Sequence, residues 1–154
     1  MKKNIKYMKY LFYFSYSSLK LFFVKNIFRR NIKYEFKSII HKNVSIRTKE
    51  KGKIELGNMI TIRPNAEISA TGGKIELNDN IYINRNTMIV AHDYISIGKG
   101  TTIGPNVLIY DHDHTIGKNK KNGTASYITA PIFIRKKRMD RCRSNYIKGS
   151  KYWG

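Results

Sequence analysis

Ile54-Glu55-Leu56-Gly57-Asn58-Met59-Ile60-Thr61-Ile62, Ile75-Glu76-Leu77-Asn78-Asp79-Asn80-Ile81-Tyr82-Ile83 and Ile95-Ser96-Ile97-Gly98-Lys99-Gly100-Thr101-Thr102-Ile103 are three readings of one template. Each carries one more aliphatic residue six positions on, at Ile68, Ile89 and Ile109. Aliphatic residues at six-residue spacing, followed by Gly or Asn, predict a parallel β-helix built from hexapeptides. Each unit makes a short strand and a corner, and three units close a triangular coil of about 18 residues that stacks on the last. The repeat starts lie 21 and 20 residues apart, so each coil has a small insertion, read at Ala70-Thr71-Gly72-Gly73 and Ala91-His92-Asp93-Tyr94. Corners need open backbone angles, a role that suits Gly57, Asn78, Gly98 and Gly104. An antiparallel sandwich of short strands would show alternation, but not this recurring Gly/Asn phase.

Working outward, residues 1–40 read as a basic, aromatic helical segment, 41–134 as the all-β parallel β-helix with three stacked coils, and 135–154 as a basic, disordered tail without hexapeptide period. The formal net charge of +20 is confined to the two ends. Residues 1–53 hold 15 Lys and Arg against 2 acids, net +13; residues 54–134 hold 7 against 7; residues 135–154 hold 8 against 1, net +7. The folded repeat is therefore neutral and lacks a basic stripe with interleaved aromatics, which argues against nucleic-acid binding. The single Cys142 excludes an intrachain disulfide and fits a reducing, cytoplasmic setting.

Leu11 to Leu19 is apolar and aromatic, follows Lys2, Lys3, Lys6 and Lys9, and is broken by Lys20 before Leu21-Phe22-Phe23-Val24. The run is too short to span a bilayer, and no small-residue cleavage site follows it. Two readings stay open. The segment caps the open end of the β-helix through Leu11, Phe14 and Leu21, or residues 1–30 lie on the inner face of the cytoplasmic membrane.

The chemistry-bearing stretch is Tyr110-Asp111-His112-Asp113-His114, at the mouth of a polar loop running from Thr115 to Thr129. Long loops inside a compact repeat are commonly functional. An imidazole titrating near neutrality can take the proton of an attacking hydroxyl. His112 is the first candidate for that base and His114 the second, with Asp111 or Asp113 fixing the tautomer. A metal site is disfavoured, since two imidazoles and flexible acids supply too few fixed ligands. His92-Asp93 and His41 carry no partner pattern and read as surface residues.

Four pieces in order, Ile81-Tyr82-Ile83-Asn84-Arg85-Asn86, Ile103-Gly104-Pro105-Asn106-Val107, Tyr110 to His114 and Ala130-Pro131-Ile132-Phe133-Ile134, resemble the hexapeptide-repeat acyltransferases. The resemblance is to the sugar O-acetyltransferase branch that includes maltose and galactoside acetyltransferases. It implies a left-handed coil, a homotrimer with active sites between subunits, and acetyl transfer from acetyl-CoA to a sugar or glycan hydroxyl without a metal. By position it implies His112 as base and Asn84 as a contact of the reacting groups. It also implies Asn86, Tyr110 and Asp113 as substrate-binding residues, and leaves the CoA-binding residues open.

After Ile134 the family would continue with Gly-Lys-Asn-Val-Trp-Ile-Gly-Ala-Gly and further coils, whereas this chain reads Arg135-Lys136-Lys137-Arg138-Met139-Asp140 and onward. Reverse-translated and read one base later, the tail permits that missing string, and Met139-Asp140 forces its Trp. A frameshift near codon 135 is thus expected, with a domain truncated at its last coils and activity weak or absent, the alternative being a non-catalytic remnant that only assembles or binds.

Overall fold

The computed structural model describes residues 2–26, 31–35, 37–114, 127–135 and 147–148. A single helix, α1 (Lys2–Asn26), precedes the strands. Its 25 residues contain neither Gly nor Pro. Among the described residues no helix is long and apolar enough to cross a membrane.

The strands then wind in coils of three. The first coil is β1 (Ile32–Tyr34), β2 (Ile39–Ile40) and β3 (Ser45–Lys49). The second is β4 (Lys53–Leu56), β5 (Thr61–Ile62) and β6 (Glu67–Thr71). The third is β7 (Lys74–Leu77), β8 (Tyr82–Ile83) and β9 (Met88–Ala91), and the fourth is β10 (Tyr94–Ile97), β11 (Thr102–Ile103) and β12 (Leu108–Tyr110). The chain then departs into β13 (His112–His114) and β14 (Tyr127–Thr129), an antiparallel pair, and rejoins the stack as β15 (Ile132–Ile134). In the tail, β16 (Ile147–Lys148) lies parallel to β12, and the other residues from 136 to 154 fall outside the described residues.

Equivalent strands pair in parallel and build three sheets: β1-β4-β7-β10-β15, β2-β5-β8-β11, and β3-β6-β9-β12-β16. We call the turns from first to second, second to third and third to first sheet the first, second and third corners. Register stacks like on like, as in Ile32–Ile54–Ile75–Ile95–Ile132 on the first sheet and Ile46–Ile68–Ile89–Ile109 on the third. These side chains fill the interior and are essentially solvent-free. Each fully buried isoleucine contributes about 1.5–3 kcal/mol, which is why a thin prism without a second layer can hold together.

The solenoid therefore has four coils, one more than the repeat predicts, and the helical segment is shorter than the predicted 1–40. The first coil escapes pattern reading because Ser38 stands where Ile60 and Ile81 stand in later coils, and Tyr34 stands in the Leu56 and Leu77 position. The corner angles also differ from expectation. At the first corner the left-handed residue falls two positions after Gly57, Asn78 and Gly98, on Met59, Asn80 and Gly100. At the second corner it falls on Asn43, Asn65, Asn86 and Asn106 rather than Gly104. Gly57 serves close approach instead, since a Cβ there would lie 2.8 Å from Asp79 Oδ1.

α1 caps the first coil, as one of the two sequence readings has it, but through Ser17, Lys20 and Leu21 and not through Leu11, which is exposed. An end coil leaves backbone groups without a neighbouring strand, and α1 supplies partners. The Ile40 N–H donates to Ser17 Oγ at 2.7 Å, Ser17 Oγ donates to Tyr13 O at 2.6 Å, and Lys20 Nζ donates to Val44 O at 2.7 Å. Leu21 is buried in the core beneath the helix. Ser17→Ala removes the acceptor of a buried N–H, so the unfolding free energy is expected to fall by about 1–3 kcal/mol. Denaturant titration checks this; a change within noise would mean that the cap rests on Leu21 alone.

On the outer surface of the first sheet, Glu55 meets Lys53 at 2.6 Å and Lys74 at 2.9 Å, and Lys74 also pairs with Glu76. Hydrogen bonds from Lys53, then Lys74, hold the Glu55 carboxyl down at about 2, against an ordinary value of 4.5. The unfolded chain thus takes up the Glu55 proton before the folded one does. The stabilisation is complete above pH 4.5 and lost as pH falls through about 2. Unfolding midpoints measured across that window should fall less steeply in Glu55→Gln than in the wild type; parallel curves would show that the network adds nothing.

Candidate active site at the third corner

At the third corners that end the first and second coils, backbone pairs with backbone: Gly72 N donates to Lys49 O, and Lys53 N donates to Gly73 O. The space is tight, since a Cβ on Gly73 would lie 2.6 Å from the backbone of His92 and Asp93. In the fourth coil the chain leaves the stack, and a carboxylate takes over. Asp111 follows β12 at the position above Ala91 in the inward row Thr48–Ala70–Ala91, and is 2% exposed. Its oxygens accept the N–H groups of His92 and Asp93, both at 2.8 Å. Its backbone carbonyl accepts Ala130 N at 2.8 Å, which ties down the returning strand.

His112 stands on this support. Its Nδ1 is 3.1 Å from Asp111 Oδ1, and the side chain is 10% exposed. A carboxylate can only accept, so this contact assigns a hydrogen to Nδ1. Aromatic rings box the imidazole: the His92 ring centroid lies at 4.0 Å, Tyr127 at 5.3 Å and Tyr110 at 5.7 Å. His92 and Tyr127 also stack on each other at 4.3 Å. The corner can do one chemical thing well. It holds an imidazole in one orientation, largely shielded from water.

Of the residues singled out from sequence, the fold brings together Tyr110, Asp111 and His112. Asp113 is half-buried in β13 opposite Ile128. His114 pairs through its backbone with Tyr127, and its side chain falls outside the described residues. Asn84 and Asn86 lie on the second corner, across the third sheet from His112. Asn84 Oδ1 accepts Arg85 N at 2.8 Å, and Asn86 sits in a side-chain ladder from Asn65 (3.3 Å) to Asn106 (3.0 Å) with φ of 57°. Within one chain both asparagines therefore do corner work.

His92 and Tyr127 are the members that sequence reasoning missed. The signal for His92 was the coil offset of 20 residues, which sets Ala91-His92 directly beneath Asp111-His112. Tyr127 had no such signal, because it arrives through the hairpin. A surface concavity lies elsewhere, along the first corner beside Tyr34, Leu56, Asn58 and Asp79. Its lining carries Glu35, Glu55, Glu76, Asp79, Lys33 and Tyr34 but no imidazole, so the third corner is the better candidate for a base that works near neutrality. Among the described residues no group of three or more His, Cys, Asp or Glu is placed to hold a metal ion. Comparison with family models, with curated proteins and with solved structures returns no match.

Proposed function

We propose that this protein is a hexapeptide-repeat acyltransferase that moves an acetyl group from acetyl-CoA to a hydroxyl of a sugar or glycan, with His112 as general base. The observation that carries the reading is the Asp111–His112 pair. A buried carboxylate, itself fixed by two backbone N–H groups, holds Nδ1 of the imidazole, the arrangement that would make Nε2 the base. In the reaction Nε2 takes the acceptor hydroxyl proton as the oxygen attacks the thioester carbonyl. The tetrahedral intermediate then expels the CoA thiolate, which receives the proton back from the imidazolium. Direct transfer needs no covalent enzyme intermediate, which agrees with a corner that offers a base and no Ser or Cys nucleophile among its described residues.

The reading extends to assembly as a homotrimer of left-handed coils. On the outer face of the third sheet the first two coils present Arg47 and Glu67, whereas the third and fourth present Met88, Val90, Leu108 and Tyr110. That apolar strip runs between the Asn84 corner and the His112 corner, and a neighbouring subunit packed along it would bring its own second corner toward this His112. Asn84 would then act across the interface. The parallel solenoid supports this reading, since it supplies three long flat faces.

The test is acceptor-dependent release of CoA thiol from acetyl-CoA over a panel of hexoses and glycosides, with the acetylated product identified by mass. Release that rises with one acceptor, and a matching product, are expected. Hydrolysis alone, or no release with any acceptor, would sink the proposal.

A further inference from the structure

We infer that α1 docks the protein on an anionic membrane surface while its opposite side caps the solenoid. The helix has two working sides. Ser17 and Leu21 are buried against the first coil, with Val24 packed beside them. Away from them, Ile5, Met8, Phe12, Leu19, Phe22 and Phe23 follow each other at helical spacing and stand in solvent. Met8 and Phe12 are each 68% exposed and Leu19 57%. Capping explains the first group and leaves the second without a role.

Charge identifies the occupant. α1 carries Lys2, Lys3, Lys6, Lys9, Lys20 and Lys25 and no acid. Lys20 is engaged on Val44 O, whereas Lys25 is exposed. The coil against which the helix packs adds the exposed Lys33, Lys37 and Lys42 at the same end of the molecule. A second copy of the chain would bring the same excess of positive charge to the contact and be repelled, whereas anionic lipid neutralises it. A helix that leaves Phe and Tyr exposed and carries lysines and no acid suits the headgroup boundary, where it lies in the plane of the bilayer. At 25 residues it is about 37 Å long, at 1.5 Å per residue. The His112 corner then stands roughly 15 Å above the first coil, three strand spacings of about 4.8 Å.

The experiment is co-sedimentation of the full chain with vesicles of phosphatidylcholine alone and with a quarter phosphatidylglycerol, at low salt and at about 0.5 M. Binding at least about tenfold stronger to the anionic vesicles, and weakened by salt, is expected. The double variant Phe12→Glu, Leu19→Glu and the quadruple variant Lys2→Gln, Lys3→Gln, Lys6→Gln, Lys9→Gln should each lose at least about tenfold in binding. Thermal unfolding checks that the variants remain folded, which their exposed positions predict for Phe12 and Leu19. Equal binding to both vesicle types, or undiminished binding by the Phe12/Leu19 variant, would overturn the inference. So would a Phe12/Leu19 variant that dissociates an oligomer in lipid-free solution yet binds vesicles like the wild type, because the exposed side would then belong to a second copy.

Discussion

His112→Ala is expected to lower acetyl transfer by about 10²- to 10⁴-fold, the usual worth of a positioned general base, while the unfolding midpoint moves little. The two halves of that expectation come from the same geometry. Nε2 supplies the proton acceptor, so the rate collapses without it. Asp111, in contrast, keeps its two backbone donors from His92 and Asp93 when the imidazole is gone, so its buried carboxylate stays paired. The lost packing against His92 and Tyr127 is at the surface edge of the corner rather than in the isoleucine core. Acceptor-dependent CoA release and chemical unfolding of the same preparation check both halves. An unchanged rate would remove His112 from the chemistry, and a collapsed midpoint would make it a structural residue.

Asp111→Ala should behave in the opposite way, with a loss of about 2 kcal/mol in stability as well as a loss of rate. Removing the carboxylate leaves the His92 and Asp93 N–H groups unpaired; each full orphan costs about 1–3 kcal/mol, and water reaching the half-exposed His92 and the exposed Asp93 offsets part of it. The third corner also loses the group that closes it where the chain leaves the stack. Asp111→Asn separates the two effects. It keeps the volume and one acceptor oxygen, so part of the stability should return. Its NH₂ is a donor, however: turned toward Nδ1 it also faces the His92 N–H and selects the opposite tautomer, and turned away it faces the Asp93 N–H. The rate of Asp111→Asn should therefore stay low, with kcat affected more than KM. Full recovery of both stability and rate would show that His112 orients itself.

The contrast between these residues shows what a sequence of this kind discloses. The second to fourth coils were legible because Ile54, Ile75 and Ile95 and their followers repeat with only one residue of drift. The first coil was hidden by two substitutions in the ladder. Ser38 is buried there with its hydroxyl 3.4 Å from Gly57 O, so a polar residue occupies an apolar position at little cost, and the pattern breaks. The Asp-His-Asp-His string pointed to the candidate corner, and the buried position of Asp111 distinguishes the carboxylate that holds His112, which composition cannot do. His92 was readable in principle from the coil offset. Tyr127 was not, because residues 15 apart in the chain meet only through an antiparallel hairpin whose register local sequence does not set. Asn84 and Asn86 show the converse. A corner that needs a left-handed residue selects asparagine whatever the chemistry, so their identity carries less functional information than the same residue would carry elsewhere.

The central claim is that Asp111 holds neutral His112 with its hydrogen on Nδ1 rather than on Nε2. It can be measured without knowing the acceptor, by long-range ¹H–¹⁵N correlation of the imidazole in ¹⁵N-labelled protein at a pH where the ring is neutral, assigned with His112→Ala. The account predicts a protonated Nδ1 and an unprotonated Nε2 for His112 in the wild type, and loss of that preference in Asp111→Asn. A neutral His112 carrying its proton on Nε2 would contradict it, because the nitrogen assigned to take the acceptor proton would already hold one.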